Sequence, residues 1–327
     1  MSGSPSFVSA RFPDIPSGLL GGVVAIGNFD GMHRGHQAVL AAAMDRAAEA
    51  DGPAVALTFE PHPREVFRPD EPVFRLTPPA AKARVAAALG LSGLVTVDFT
   101  RDFAARSADA FVSEVLVGAL KTKGVTVGWN FHFGKGRAGT PAMLFGEGER
   151  LGFAVDVVEA FTDEGGEAVS SSRIRSLLAD GLIGEAAGLL GYRWFFEAEV
   201  VHGDKRGRTI GYPTANMRLP ASVRLAHGIY AVAIELDGER HHGVASFGRR
   251  PTFDNGAPVF ETFVFDFTGD LYGKTAVVTP VSYLRPEMRF DSVEALIAQM
   301  DQDSAEARAI LQTAQPLTPL DRALLFG

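Results

Sequence analysis

Two different hydrophobic periodicities follow one another in this chain, and the change comes near Phe195. Before it, short apolar runs at Val23–Ile26, Ala54–Phe59, Leu94–Val97, Val125–Gly128 and Phe153–Val158 alternate with helical patterns at Gln37–Ala50, Pro79–Leu89, Ala108–Leu120 and Pro141–Leu151. Strands separated by helices predict a parallel, Rossmann-like α/β sheet. After it, Phe195–Val201, Ile229–Leu236, His242–Phe247, Val259–Asp266 and Ala276–Leu284 are rich in β-branched and aromatic residues. Asp237-Gly238, Asp254-Asn255-Gly256 and Gly269-Asp270 supply turns between them, which predicts a small antiparallel barrel. The segments Ser292–Met300 and Ala305–Thr313 read as helices again, and the Pro-rich stretch Pro61–Pro79 reads as a loop. Two short helices ending at Asp180-Gly181 and Leu190-Gly191 place the boundary near Gly191, giving domains 1–190 and 191–327.

A length of 327 residues suits two domains, each with enough apolar content for a core. The net charge of −8 argues against a general nucleic-acid binder, though not against a local site for small anions. The chain has no cysteine, which excludes disulfides and thiolate chemistry. Met1–Ala10 lacks the features of a signal peptide, and no segment reaches the length of a membrane span, so a soluble cytoplasmic protein is expected. The oligomeric state is left open, a homo-oligomer included.

The densest motif of the first half is Gly27-Asn28-Phe29-Asp30-Gly31-Met32-His33-Arg34-Gly35-His36, between an apolar strand and a helix. A helix N-terminus presents unpaired N–H groups and the positive end of its dipole, so it attracts phosphate. His33 and His36 add side-chain donors, and Gly35 lets the backbone come close. The competing reading is a plain βα turn with capping histidines. Thr58-Phe59-Glu60-Pro61-His62-Pro63 and Gly128-Trp129-Asn130-Phe131-His132-Phe133-Gly134-Lys135-Gly136-Arg137 follow later strands and belong to the same carboxyl edge. The second of these joins aromatics suited to a planar ring with Asn130 and basic residues. Ser170-Ser171-Ser172-Arg173-Ile174-Arg175 opens a helix, where serines are natural caps and two arginines suit phosphate better than the dipole.

The second half carries His202-Gly203-Asp204-Lys205-Arg206-Gly207-Arg208-Thr209-Ile210-Gly211-Tyr212-Pro213-Thr214-Ala215-Asn216. Its glycines permit close approach to phosphate, and Thr214 and Asn216 supply oxygen ligands suited to Mg²⁺. It is not a Walker A loop. Read alone, it equally describes a basic hairpin loop.

Together these segments resemble the prokaryotic bifunctional riboflavin kinase/FAD synthetases, whose first module belongs to the His-x-Gly-His nucleotidyltransferases. The resemblance runs from about Gly21 to Thr313 and includes Gly248-Arg249-Arg250-Pro251-Thr252-Phe253, Glu261-Thr262-Phe263, Asp270-Leu271-Tyr272-Gly273 and Leu284-Arg285-Pro286-Glu287. It implies ATP-dependent phosphorylation of riboflavin to FMN in the C-terminal domain, and adenylylation of FMN to FAD in the N-terminal one. Gly27, Asn28, Phe29, Asp30, His33, His36, Ser171 and Arg175 would then bind ATP, with His33, His36 and Arg175 catalytic. Phe59, Pro61, His62, Asn130 and Phe133 would face FMN. In a six-stranded kinase barrel, Gly203, Gly207, Arg208, Gly211, Pro213, Thr214 and Asn216 would hold the nucleotide, with Thr214 and Asn216 beside Mg²⁺. Arg285 and Glu287 would face the flavin, and Glu261 would be the catalytic carboxylate. Read without the family, Glu261 is an outward-facing residue of an alternating strand.

Ser246 stands where the family usually has asparagine, Arg289 where it has lysine, and Ser172 where threonine is frequent. Tyr192-Arg193-Trp194-Phe195 is atypical at the junction. Three alternatives remain: one activity with a regulatory second domain, adenylyl transfer to another phosphorylated acceptor, and a flavin-binding protein without catalysis.

Overall fold

A computed structural model describes residues 7–202, 212–249 and 258–327. The chain forms two compact units, Met1–Ser171 and Ser172–Gly327. The helices Ser171–Ala179 and Ile183–Leu190 end before glycines with positive φ, Gly181 and Gly191, and group with the second unit save for Ser171 itself.

The first unit is built on a six-stranded sheet of parallel strands: β1 (Val8–Arg11), β2 (Val23–Ile26), β3 (Ala54–Glu60), β4 (Gly93–Asp98), β5 (Gly124–Gly128) and β6 (Ala154–Val158). Their spatial order is β1-β4-β3-β2-β5-β6. The chain runs outward from β2 through β3 and β4, then returns to the other side of β2 for β5 and β6. The strand order therefore reverses between β2 and β5, and such a switch point opens a crevice at the carboxyl ends of the strands. All four residues of β2 and all seven of β3 are buried, as two-sided cover of a parallel sheet demands.

The second unit is a closed barrel, ordered β10-β11-β8-β7-β12-β9. Its strands are β7 (Phe196–Val201), β8 (Thr214–Arg218), β9 (Gly228–Leu236), β10 (Glu239–Arg249), β11 (Pro258–Val264) and β12 (Thr275–Arg285). Asp237 and Gly238, both at positive φ, form the tight turn between β9 and β10. Phe196, Tyr230, Phe247 and Phe260 are buried in mutual ring contacts at its core.

Four sequence expectations change. β1 and β8 are strands that periodicity missed. Inside Pro61–Pro79 lies a short helix, Pro63–Phe67, started by a capping box in which His62 Nδ1 accepts from Arg64 N and Glu65 accepts from His62 N. The two tail helices are one, Val293–Thr313, capped by Ser292. Its polar middle continues because Tyr212 OH donates to Asp301, while Asp303 holds Arg285 and Gln299.

Candidate active sites

The loop leaving β2 carries the first candidate site. Helix α1 (Arg34–Glu49) starts at Arg34 rather than Gln37, because His33 is its cap and Nδ1 of that ring accepts from His36 N at 3.3 Å. The two rings stack at 3.7 Å between centroids, and Phe29 meets His36 edge-on at 5.4 Å. A Cβ on Gly35 would lie 3.2 Å from Cε1 and Nδ1 of His33, so the glycine makes room for the stacked ring. Gly27 similarly accommodates the Phe29 ring, 3.0 Å from where its Cβ would be. Burial first, then His33, then Lys82 hold the His36 pKa well below the usual histidine value, so its imidazole is neutral at pH 7. His36 Nδ1 is enclosed with no hydrogen-bond partner among the described residues.

The loop between β2 and α1 is bent, with Phe29 at φ 47°, Gly31 at 88° and Met32 at 37°. Phe29 and Met32 are buried all the same. Backbone strain of this kind persists only where surrounding contacts over-determine it. Thr77 supplies three of them. Its N–H donates to Asp30 Oδ1 at 3.0 Å, its hydroxyl donates to Phe29 O at 3.1 Å and accepts from Gly31 N at 2.7 Å. Asp30 is thus buried with its carboxylate turned into the support, and Ser171 Oγ donates to its carbonyl at 2.8 Å.

Behind the loop lies an ion cluster absent from the sequence reading. Lys82 Nζ donates to Asn28 O, Thr58 Oγ1 and Glu60 Oε1, each at 2.9 Å, and Thr58 Oγ1 donates to Asn28 O at 3.1 Å. Arg75 grips Glu60 through both terminal guanidinium nitrogens at 2.6 and 2.9 Å, and its Nε is 3.8 Å from Asp30. Burial alone would raise the Glu60 pKa, but Arg75 and Lys82 pull it below the usual value, while burial lowers that of Lys82. The signal was available: helix α3 (Pro79–Ala88; the short helix Pro63–Phe67 being α2) buries Ala81, Lys82, Val85 and Ala86. A lone lysine in that stripe breaks the apolar face.

Of the residues expected to face FMN, Pro61 and Asn130 are exposed and His62 is the half-buried cap of α2. Phe59 and Phe133 lie in the aromatic core with Phe99, Phe103, Phe111 and Phe131. Phe67 (60%) in α2 and Trp129 (54%) after β5 are exposed instead. Arg175 stands in the first turns of the helix Ser171–Ala179 and belongs to the second unit.

In the barrel, strand register brings three distant residues into one row. Glu261 of β11 is directly opposite Asn216 of β8 and Ser246 of β10. Directly paired side chains lie on the same face, about 5 Å apart. Phe260, the neighbour of Glu261, is fully buried in the barrel core, so alternation turns the Glu261 row to the outer face. Asn216 Nδ2 donates to Thr214 O at 3.2 Å. Arg285 forms a bidentate pair with Asp303 at 2.6 and 2.8 Å, and Glu287 lies 3.9 Å from His227 Nδ1. Pro213 is exposed. Gly203, Gly207, Arg208 and Gly211 lie outside the described residues, as does the segment 250–257. Among the described residues no cluster of three or more His, Asp or Glu forms a metal cage.

Comparison with known proteins agrees across both units. The family of FAD synthetases matches residues 17–173 and that of riboflavin kinases matches 190–311. The bifunctional riboflavin kinase/FMN adenylyltransferase of Escherichia coli is 39% identical over 297 residues, 90% of this chain and 95% of that protein. Its namesakes in Listeria monocytogenes and Bacillus subtilis are 39% and 36% identical, over 88% and 87% of this chain and 91% of each relative. A crystal structure described as a macrolide-efflux protein from Streptococcus pneumoniae superposes with a TM-score of 0.81 at 32% identity, covering 95% of this chain and 100% of that one. No helix among the described residues is long and apolar enough to cross a membrane.

Proposed function

Because this chain belongs to the family of bifunctional riboflavin kinase/FMN adenylyltransferases, we propose that residues 1–190 carry adenylyl transfer and residues 191–327 the kinase step. The protein phosphorylates riboflavin to FMN with ATP and transfers the adenylyl group of a second ATP to FMN, giving FAD.

The observation that carries the first assignment is the stacked His33–His36 pair on the N-terminus of α1, at the reversal of strand order. An FMN phosphate oxygen attacks the α-phosphorus of ATP, and the bond to the pyrophosphate oxygen breaks. No covalent enzyme intermediate is needed, so the protein's task is positioning and charge stabilisation. His33 Nδ1 accepts from the backbone, which leaves Nε2 as the ring's N–H, where it can donate to a phosphoryl oxygen. The unpartnered Nδ1 of His36 favours the same tautomer there. Arg175, one turn into the helix that Ser171 opens, is the proposed further ligand of the triphosphate. Pro61, His62 and Asn130 would meet FMN over a floor that includes Phe59 and Phe133.

For the kinase step the row Ser246–Glu261–Asn216 supports Glu261 as the base that takes the proton of the riboflavin 5′-hydroxyl while that oxygen attacks the γ-phosphorus. The oxygen donors of Thr214 and Asn216 are of the hard type Mg²⁺ prefers, and these two residues would hold it with the ATP phosphates. Bound there, Mg²⁺ would supply neutralisation of phosphate charge. Gly203, Gly207, Arg208, Gly211 and Pro213 are the proposed contacts to the nucleotide, and Arg285 and Glu287 those to the flavin.

Crossed single variants test the division. His36→Ala is expected to convert riboflavin to FMN and stop. Glu261→Ala is expected to leave riboflavin unchanged yet convert added FMN to FAD. FAD formation at the normal rate by folded His36→Ala would overturn the first assignment, and kinase turnover by Glu261→Ala the second.

A further inference from the structure

The ion cluster beneath the Gly27–His33 loop has no part in the chemistry above. Lys82 is 0% exposed, and the three donors of its ammonium have three acceptors at 2.9 Å. Desolvating a charge so completely is unfavourable, and an apolar side chain of the same shape often serves stability as well or better. Stability therefore does not explain why an ammonium stands on the buried stripe of α3. Position does. One of its three acceptors is the carbonyl of Asn28, which also accepts from Thr58 Oγ1. The next residue, Phe29, is held at φ 47°, where a residue with a Cβ is strained, and its ring meets His36 edge-on. Thr77 pins the loop on the far side of this bend. Without the bonds to the Asn28 carbonyl, the peptide after Asn28 could relax to negative φ and withdraw the ring.

We propose that Lys82 is a positioning residue for adenylyl transfer: by holding the Asn28 carbonyl it fixes the bent loop and the Phe29 ring that orients His36. The proposal rests on the reading of Gly27–His36 as the ATP site. Glu60 serves it by keeping the ammonium charged in its buried place, and Arg75 by holding Glu60 in position.

Lys82→Met, Thr58→Val and the double variant test it, using initial rates of FAD formation from FMN at varied ATP. Riboflavin phosphorylation by the same preparations reports on the amount of active enzyme. For Lys82→Met, kcat/KM for ATP in FAD formation is expected to fall at least tenfold, with a raised KM, while kinase kcat/KM stays within twofold. Thr58→Val is expected to lose threefold or more. The double variant is expected to be no worse than Lys82→Met, because both act through one carbonyl. Adenylylation within twofold of normal in both single variants, or losses that multiply in the double, would overturn the proposal. If Lys82→Met does not fold, as judged by circular dichroism, Thr58→Val decides alone: unchanged kcat/KM for ATP overturns it. His36→Ala in the same assay separates the two levels, since normal FAD formation there would refute the ATP-site reading whatever Lys82 does.

Discussion

Replacing Gly35 by alanine separates folding from catalysis at one atom. Gly35 is the second residue of α1 and its φ is not positive, so an L-residue fits the backbone. Alanine gains up to about 1 kcal/mol of helix propensity in a helix interior and less in the first turn. Against this, the new Cβ would lie 3.2 Å from two atoms of the His33 ring and 3.6 Å from Phe161 Cβ. Carbon contacts settle at about 3.5–4.0 Å, so the ring must move by roughly 0.3–0.8 Å. Its stacking on His36 at 3.7 Å and its cap bond at 3.3 Å pass that movement on. The two effects nearly cancel in stability, leaving a net change within about 1 kcal/mol. They do not cancel in rate, because a 1 Å misplacement costs about 100-fold and a few tenths costs about tenfold. Initial rates of FAD formation, kinase rates of the same sample and a melting curve read all three quantities. FAD formation within twofold of normal would refute the reasoning that ring placement limits the reaction.

Three further outcomes follow from named contacts. The folded-state pKa of His36 lies below its unfolded value, so the folded protein resists protonation there. That contribution to stability is full above about pH 6.5 and is lost as the pH falls through the lower folded value. The acid limb of FAD formation should accordingly lie below pH 6.5, and Lys82→Met should move it upward by removing one of the charges that depress His36. Asp303→Asn removes the bidentate partner of Arg285, and a loss of about 2–4 kcal/mol in stability with a raised KM for riboflavin in the kinase assay is expected, FAD formation from FMN being spared. Asp321 is buried, pairs with Arg193 and accepts from Arg193 N and Leu317 N at 2.9 Å, so Asp321→Ala should cost about 3 kcal/mol and lower Tm by roughly 6–12 °C.

The alternation that names a parallel sheet was plain in the sequence because β2, β3 and β5 are buried almost throughout and so carry unbroken apolar runs. β1 pairs only with β4 at the sheet edge and alternates half-buried with exposed residues, so Val8-Ser9-Ala10-Arg11 shows no apolar run. β8 was obscured because its buried residues Ala215, Asn216 and Met217 include a polar one inside a motif that reads as a loop. The histidine pair was legible from spacing alone, but its stacking and the reason for Gly35 were not, since both depend on ring positions. The support behind it was the least legible part. Glu60, Arg75 and Lys82 are scattered over a strand, a loop and a helix, and only the parallel register and the fold of residues 61–79 bring them under the loop after β2. In the barrel, each member of the Ser246–Glu261–Asn216 row sat in its own motif, and their adjacency came from antiparallel register.

The most direct test of two reactions in one chain is a time course with purified protein, riboflavin, ATP and Mg²⁺, with the flavins separated by chromatography. FMN should rise first and FAD should follow at its expense. FMN that accumulates without FAD would contradict the adenylylation assigned to the first unit, and riboflavin recovered unchanged would contradict the kinase.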